Sequence, residues 1–319
     1  MLPNAPQSFR ISISMACLAL FFPACQESIS INLPDEETKV VVEGYIEQNR
    51  PPYLFLTQTT EYFGPTDRTA FEDSFLHEAT ITVSDGLQTT QLEEYCMNDL
   101  SSLERSLFAQ ATNIPVVELR QANYCVYSIP REDLLNGTYI QGKVGRSYTL
   151  RIEYRDEVFS AVTTIPEPVP LDSLWFEVRD SELRDGVLRA KIIDPATPGN
   201  HYRWQADVIG KGSGFVAPPI SALSDETFNG KAFEMTHVHG ADPFTTQDTR
   251  FYGSGEKVAV KFSSIPADVY RFVRNFENET ANNGNPFAAP SFPVSNIDGE
   301  GVLGIWAGYG ATYDTILCR

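Results

Sequence analysis

Short stretches in which apolar and polar residues alternate recur along most of the chain. The clearest is 147–154, where Tyr, Leu and Ile alternate with Ser, Thr, Arg and Glu. Successive side chains of a strand point to opposite faces of a sheet, so this pattern predicts a strand with one buried face and one solvated face. Alternating or β-branched stretches predict strands at 39–46, 53–59, 79–83, 88–93, 124–128, 147–154, 157–165, 173–178, 187–193, 202–209, 233–238, 257–263, 301–309 and 311–317.

These strands predict an all-β fold apart from one or two short helices. Residues 49–52 (NRPP) form a turn between the first two strands, which are expected to pair as a hairpin. The strands before residue 166 are typical of an immunoglobulin-like or fibronectin-like sandwich. A Pro-rich stretch at 166–171 then predicts a stiff linker. We therefore expect two β-sandwich-like domains, an N-terminal one at 38–165 and a C-terminal β-rich one at 172–319.

Two stretches show helical spacing instead of alternation. After Pro266, apolar residues recur every three or four positions and charged residues take the other side, which predicts a helix near 267–281. The second stretch lies in an insertion at 96–125, where apolar residues fall on one helical face after Asn98 and Asp99, either of which is a suitable N-cap. These apolar residues are Leu100, Leu103, Leu107, Phe108 and Ala111. Their face either packs on the sandwich or docks a partner protein.

The N-terminus is typical of a lipoprotein signal. Arg10 precedes an apolar run at 11–22, which is shorter than the roughly 20 residues that a membrane-spanning helix needs. Cleavage just before Cys25 would leave this cysteine at the new N-terminus, where it can accept lipid. We expect a signal peptide at 1–24, acyl chains such as palmitate on Cys25 and a polar tether at 25–37. A plain secretory signal and a buried apolar strand are the alternatives.

Export to an oxidising compartment changes how the remaining cysteines are interpreted. A disulfide between Cys96 and Cys125 is expected, because it would close a loop of about 30 residues and contribute roughly 3 kcal/mol of stability. Cys318 would then remain outside any disulfide. We expect it to be a small buried residue.

Net charge argues against one class of partner. The chain carries a formal charge of −18 at pH 7, and removal of Arg10 with the signal peptide would make it −19. A field of this sign repels nucleic acid, so no nucleic-acid binding is expected. An acidic surface is also typical of a soluble exported domain. The only membrane contact expected is the lipid on Cys25.

The sequence offers no catalytic signature. It contains no GxSxG elbow and no phosphate-binding glycine loop before a helix. Adjacent carboxylates such as Glu93 and Glu94 point to opposite faces of a strand, so they do not form a catalytic pair. His237 and His239 share one face of a predicted strand, but two imidazoles need a further ligand to hold a metal, and they are expected to be surface or loop histidines. We therefore predict a protein that is not an enzyme and has no metal site or cofactor.

Aromatic residues are better candidates for binding. The stretch 285–293 (NPFAAPSFP) is apolar and irregular where a structural connection could be shorter, which is typical of a docking loop. Exposed rings stack on sugars or fill apolar pockets of a partner. Most aromatic residues of this region are expected to lie in the core, and Phe287, Phe292 and Trp306 are the candidates for such contacts.

Several motifs together resemble one known family. They are INLPDEETKVVVEGYIEQNRPPYLFLTQT at 31–59, HEATITVSDG at 77–86, GKVGRSYTLRIEY at 142–154, TTIPEPVPLDSL at 163–174, and NPF with NIDGEGVLGIWAGY within 285–309. In this order and spacing they are similar to a Bacteroidota outer-membrane lipoprotein family known as domain of unknown function DUF4249. The insertion at 96–125 departs from the pattern of that family.

The resemblance implies an accessory role and supplies no catalytic residues. Members are typically encoded near TonB-dependent outer-membrane transporters. Bacteroidota attach O-glycans at short Asp-Ser/Thr-aliphatic triplets, so the resemblance also implies Ser173 and Thr315 as glycosylation sites. We expect a non-catalytic lipoprotein, lipid-anchored to the outer membrane on the cell-surface side, that serves a TonB-dependent transporter or binds its substrate. A stand-alone surface adhesin for glycans or peptides is the alternative.

Overall fold

The computed structural model describes residues 37–60, 64–65, 67–112, 123–180, 182, 184–211, 214–239, 250–282 and 293–319. The predicted signal peptide, Cys25 and the tether up to residue 36 lie outside this range. The described part is mainly β, as the alternating pattern predicted. Glu37–Arg319 forms one compact unit.

Sixteen strands and four α-helices occur in the described residues. The strands are β1 Val40–Glu47, β2 Tyr53–Gln58, β3 Thr80–Ser84, β4 Thr89–Gln91, β5 Glu93–Cys96, β6 Cys125–Ser128, β7 Ser147–Tyr154, β8 Glu157–Thr164, β9 Leu171–Asp180, β10 Asp185–Ile193, β11 His201–Val208, β12 Ala222–Ser224, β13 Ala232–His237, β14 Tyr252–Gly253, β15 Lys257–Ile265 and β16 Val302–Leu317. The helices are α1 Arg68–Glu72, α2 Ser102–Thr112, α3 Arg131–Asn136 and α4 Ala267–Asn282.

The predicted strands are confirmed, with small differences at their ends. The hairpin of β1 and β2 is antiparallel, with Tyr45 opposite Tyr53. The prediction at 88–93 covers β4 and only the first residue of β5, and the two predictions at 301–309 and 311–317 cover the single strand β16. Strands β12 and β14 were not predicted, because two or three residues are too few to show alternation.

The first sandwich is built from two sheets that share one hydrophobic core. One is the half of an eight-stranded sheet that has the order β16, β1, β2, β6, β5, with β1 parallel to β16 and antiparallel to β2. The other has the order β4, β3, β7, β8 and is antiparallel. Leu56 of the first sheet and Leu150 of the second are fully buried in the same core. Alternation along β7 directs its apolar side chains into this core and its polar ones into water.

The second sandwich follows the same plan around a second core. One sheet is the other half of the same eight-stranded sheet, with the order β12, β11, β15, β16, and in the second sheet β10 pairs with β9, β13 and β14. Trp204 and Phe262 from the first of these sheets and Leu188 from the second are buried together. Both sandwiches therefore bury one face of each sheet, as in other aligned sheet packings.

Strand β16 belongs to both sandwiches. Its first half, 302–309, pairs with β1, and its second half, 310–317, pairs with β15. The predicted division into domains 38–165 and 172–319 therefore needs a correction. The core does change near residue 166, but the N-terminal sandwich is completed by residues from the end of the chain, and one continuous strand joins the two cores.

The Pro-rich stretch 166–171 packs against β16 and does not act as a separate linker. A Cβ atom on Gly310 would lie 2.1 Å from the carbonyl oxygen of Pro166, so only glycine leaves room for this approach. Val169 is buried in the second core. Its backbone N–H donates to Ser264 Oγ at 3.2 Å. The stretch is thus a fixed connection between the sandwiches.

The helices combine confirmed and missed predictions. Helix α4 lies where helical spacing placed it, and its buried face packs through Val269 and Val273. Helix α2 is also confirmed, but its N-cap is Ser101, whose Oγ accepts from the backbone N–H of Glu104 at 3.2 Å. Glu104 in turn accepts from the N–H of Ser101 at 2.8 Å, which completes a capping box. Helices α1 and α3 were not predicted, because five or six residues give little helical periodicity.

Candidate partner-binding site

The insertion begins and ends on the paired strands β5 and β6. Cys96 lies directly opposite Cys125, and the predicted disulfide joins them, with the two Cα atoms 4.1 Å apart. This bond holds the base of the insertion in place, and α2 begins a few residues after the fixed Cys96. Cys318, predicted to be a small buried residue, is indeed buried and free of disulfides. Burial raises the pKa of its thiol to about 11.

Helix α2 packs with only part of its apolar face. Leu100, which precedes it, and Phe108 are buried against β5 and β6 together with Met97 and Val126. The predicted apolar face therefore packs on the sandwich only in part, since Leu103 is 69% exposed and Leu107 is 38% exposed. One side of the helix therefore anchors it to the sandwich, and the other side presents apolar surface to solvent.

This exposed side borders a groove between α2 and α3, which we call the helix cleft. Its walls and floor are apolar, and the residues that carry them are Leu100, Leu107, Phe108, Leu134 and Leu135. An ion pair between Glu104 of α2 and Arg131 of α3 bridges the groove at 3.0 Å. The side chain of Arg131 is about half exposed and that of Glu104 about one-third exposed, so the pair positions the two helices without contributing much stability.

The helix cleft borders a second cavity of about 660 Å³, which we call the polar chamber. The two share Leu107, Leu134 and Leu135, and the polar chamber continues to the turn between β1 and β2 and to Tyr139 and Tyr313. A volume of this size lies within the range of about 300–1,000 Å³ that is typical of ligand sites.

Glu47 organises the polar wall of the chamber. Its carboxylate is 7% exposed and accepts from Tyr313 Oη at 2.5 Å and from Arg50 Nε at 3.3 Å. Lys261 Nζ lies 2.5 Å from the other carboxylate oxygen. Burial raises the pKa of Tyr313, and the negative charge of Glu47 adds to the shift, so this tyrosine remains a hydrogen-bond donor. A buried carboxylate with three donors is held in one position, which makes this wall rigid.

The helix cleft and the polar chamber together offer two kinds of surface. Apolar surface lies next to fixed polar groups, an arrangement that accommodates an amphipathic segment of a protein or a small amphipathic molecule. Ser128, which lines the helix cleft, donates its hydroxyl hydrogen to the carbonyl oxygen of Pro52 at 2.9 Å, and a carbonyl cannot act as a general base.

Trp306 was predicted to dock a partner, and this is wrong. Its side chain has no exposed surface, and the indole Nε1–H donates to the backbone carbonyl of Tyr148 at 2.9 Å. The ring lies in the first core and also packs over Gly44, where a Cβ atom would come within 2.7 Å of it. Trp306 is therefore a structural residue that joins β16 to β7.

The other predicted site residues have different outcomes. Phe287, Phe292 and Cys25 lie outside the described residues, so their roles remain predictions. Ser173 in β9 and Thr315 in β16 are both exposed, as glycosylation requires, and their modification also remains a prediction.

His237 was expected at the surface but is buried in the second sandwich. It is 1% exposed, its Nδ1 lies 2.7 Å from Tyr252 Oη, and Trp204 packs edge-on against its ring. Desolvation lowers the pKa of its imidazole to about 3, with a smaller contribution from His239. The residue is therefore a neutral core histidine.

One group of ligand-type side chains was missed in the sequence. Within the described part of the chain, His77, Glu94, Cys96 and Cys125 are the residues whose ligand atoms gather within 4.8 Å of one another. We call them the His77 cluster. His77 Nδ1 lies 2.5 Å from Glu94 Oε1. No local sequence pattern indicates this cluster, because His77 is brought to β5 and β6 only by the hydrogen bonds that Tyr127 makes with Leu76 and Ala79.

Comparison with known proteins places the chain in a family. None of the described helices is long and apolar enough to cross a membrane. No curated protein matches the chain closely enough to count as a relative. A family model described as domain of unknown function DUF4249 matches residues 26–314, which include both sandwiches and the insertion. The chain therefore belongs to the DUF4249 family, as its motifs predicted.

Proposed function

We propose that this protein is a non-catalytic, lipid-anchored accessory protein of the outer membrane, and that it binds a TonB-dependent transporter through the helix cleft. The observation that carries the proposal is the apolar groove between α2 and α3, which borders the polar chamber. Apolar surface that is exposed as a contiguous groove with polar edges is typical of protein interaction sites.

The lipoprotein signal pattern supports a partner that lies in or on the membrane. Eleven residues, 26–36, separate the predicted lipid acceptor from the compact unit that begins at Glu37. A chain of that length can span at most about 40 Å. A protein held so close to a bilayer meets membrane proteins at high effective concentration, so even a modest cleft would be occupied.

The occupant that fits the site is an apolar segment of the transporter with a polar flank. Leucine and phenylalanine side chains of the helix cleft would receive its apolar residues. The fixed carboxylate and cations around Glu47 would pair with polar groups at one end of the segment. Specificity then comes from the polar chamber and affinity from the helix cleft.

Charges placed in the helix cleft are expected to release the transporter. In the double variant Leu107→Asp and Leu135→Asp, recovery of a co-purifying transporter from outer membranes in mild detergent should fall at least about tenfold, because binding would bury two unpaired carboxylates. These side chains are 38% and 69% exposed, so the fold should tolerate the change. Mass spectrometry of the purified complex measures the recovery.

Leu87→Asp is the matched control for this experiment. Leu87 is 81% exposed and lies in the turn between β3 and β4. Recovery of the transporter with this variant should equal the wild-type value. If the wild-type protein brings no transporter with it, or if the cleft variant recovers as much as the control, the accessory function is wrong.

A stand-alone glycan-binding adhesin is the second candidate, and Trp175 favours it. This tryptophan is only partly buried, while Trp204 and Trp306 are in cores. It lies on the outward face of β9 opposite Arg189, whose guanidinium carbon is 5.9 Å from the ring centre. Arg189 also donates to Thr236 Oγ1 of β13 at 3.0 Å. An aromatic ring among polar groups on a flat sheet face is suited to stacking against a sugar.

The adhesin hypothesis predicts that glycan binding depends on the ring of Trp175. On a glycan array, Trp175→Ala should lose the wild-type signal, while Trp175→Phe should keep part of it because an aromatic face remains. An array on which the wild-type protein binds nothing, or on which Trp175→Ala binds like wild type, would remove this candidate.

A further inference from the structure

The His77 cluster places four metal-ligand types on one side of the first sandwich. Glu94 and Cys96 are two positions apart on β5, so they point to the same face, and Cys96 pairs with Cys125 of β6. His77 comes from the segment that leads into β3. All four ligand atoms lie within 4.8 Å of one another.

The residue that brings His77 to the strands is Tyr127. Its hydroxyl donates to the backbone carbonyl of Leu76 at 3.0 Å and accepts from the backbone N–H of Ala79 at 3.4 Å. Tyr127 itself lies on β6 directly opposite Glu94. The segment that carries His77 is therefore fixed on both sides, and the imidazole is positioned over β5 and β6 without any added ligand.

The chemistry of the four donors matches zinc once the sulfur atoms are thiolates. Zinc is bound tetrahedrally by thiolate, imidazole and carboxylate groups at about 2.0–2.3 Å. In the oxidised protein both sulfurs are used in a disulfide, which leaves one imidazole and one carboxylate, too few for a stable site. We propose that reduction of this disulfide creates a zinc site whose ligands are His77, Glu94, Cys96 and Cys125.

The two states differ by a balanced exchange. A dithiol reductant transfers two electrons and two protons to the disulfide, which becomes two thiols while the dithiol becomes a cyclic disulfide. Zinc then replaces one proton on each sulfur, so two protons are released when the metal binds. The S–S bond is broken and two S–Zn bonds take its place. In the reduced protein the metal would thus link β5 to β6 at the base of the insertion, in place of the disulfide, and would hold α2 beside the helix cleft.

Zinc binding by the purified protein tests this site. The full chain is reduced with a dithiol, desalted without oxygen and titrated with zinc against a chromophoric zinc indicator. We expect about one zinc per reduced chain and none per oxidised chain. With cobalt as a substitute, the reduced protein should show thiolate-to-cobalt charge-transfer absorption. His77→Ala should weaken zinc binding more than tenfold, since loss of a ligand exceeds the roughly 10- to 100-fold effect of a supporting residue.

His201→Ala is the control, because His201 lies in the second sandwich and does not belong to the His77 cluster. The zinc affinity of the His201→Ala variant should equal that of the wild-type chain. Circular dichroism follows the fold during reduction. If the reduced chain unfolds and zinc restores the fold, the site is supported. A folded reduced chain without bound zinc, an unfolded chain that zinc does not rescue, or equal binding by His77→Ala would each overturn it.

Discussion

Replacing Trp306 by alanine is expected to lower the free energy of unfolding by about 3–5 kcal/mol, as for other large-to-small changes at fully buried aromatic positions. The side chain has no exposed surface, so its removal leaves a large cavity in the first core. It also removes the hydrogen bond from the indole Nε1–H to the carbonyl of Tyr148, which is buried and would lose its partner. Both effects act on β16, the strand that the two sandwiches share.

Denaturant unfolding of the Trp306→Ala variant, of a control variant and of the wild-type protein measures this effect. The control is Trp175→Ala, which removes the same side chain from the outward face of β9, where it is only partly buried. We expect the control to lower the free energy of unfolding by about 1 kcal/mol or less. A loss at Trp306 no larger than the loss at Trp175 would contradict the core position of Trp306. Because β16 spans both cores, the Trp306 variant should unfold in one transition.

The strands were predictable where one face of the sheet is solvated. In β7 and β11 every second residue is buried, and both were predicted close to their actual bounds. Strand β16 does not alternate, because its residues from Ile305 to Ala311 are all buried. A continuous buried stretch that contains glycines shows no alternation of apolar and polar residues. For this reason two strands were predicted there instead of one, and Trp306 was predicted to be exposed.

The site was predictable only in its local parts. The disulfide and α2 followed from residues close together in sequence. The helix cleft did not, because it needs Leu107 of α2 beside Leu135 of the short helix α3, and no local pattern links these positions. The polar chamber depends on still longer separations, since Glu47 of β1 meets Lys261 of β15 and Tyr313 of β16 only through the register of the shared strand. Pairing between distant strands is a property of the whole fold.

The buried polar groups indicate that the two sandwiches respond differently to acid. Around Glu47, opposite charges and hydroxyl donors compensate for the loss of water. Among the described residues, the hydrogen-bond partner of His237 is the uncharged hydroxyl of Tyr252, which does not compensate for a charge on the imidazole. The surroundings of Glu47 stabilise its charged carboxylate, whereas the surroundings of His237 stabilise only the neutral imidazole. The second sandwich should therefore respond to acid.

Acid is expected to destabilise the protein through His237. Its pKa is about 3 in the folded state and about 6.5 when unfolded, so between these values the unfolded chain binds a proton that the folded chain does not. Stability is therefore lost as the pH falls from about 6.5 toward 3. At pH 5 the loss from this residue should be about 2 kcal/mol, from 1.36 kcal/mol for each pKa unit. Carboxylates also respond to acid, so the contribution of His237 must be measured as a difference.

His237→Gln provides that difference. Glutamine keeps a polar partner for Tyr252 but does not titrate, so its free energy of unfolding should fall between pH 7 and pH 5 by about 2 kcal/mol less than that of the wild-type protein. Urea unfolding at both pH values measures the four free energies. Tyr252→Phe is the control, since it removes the hydrogen bond and leaves the imidazole buried. It should lower stability at both pH values and keep the wild-type pH dependence. Equal pH dependence of His237→Gln and wild type would show that His237 does not remain neutral in the folded protein.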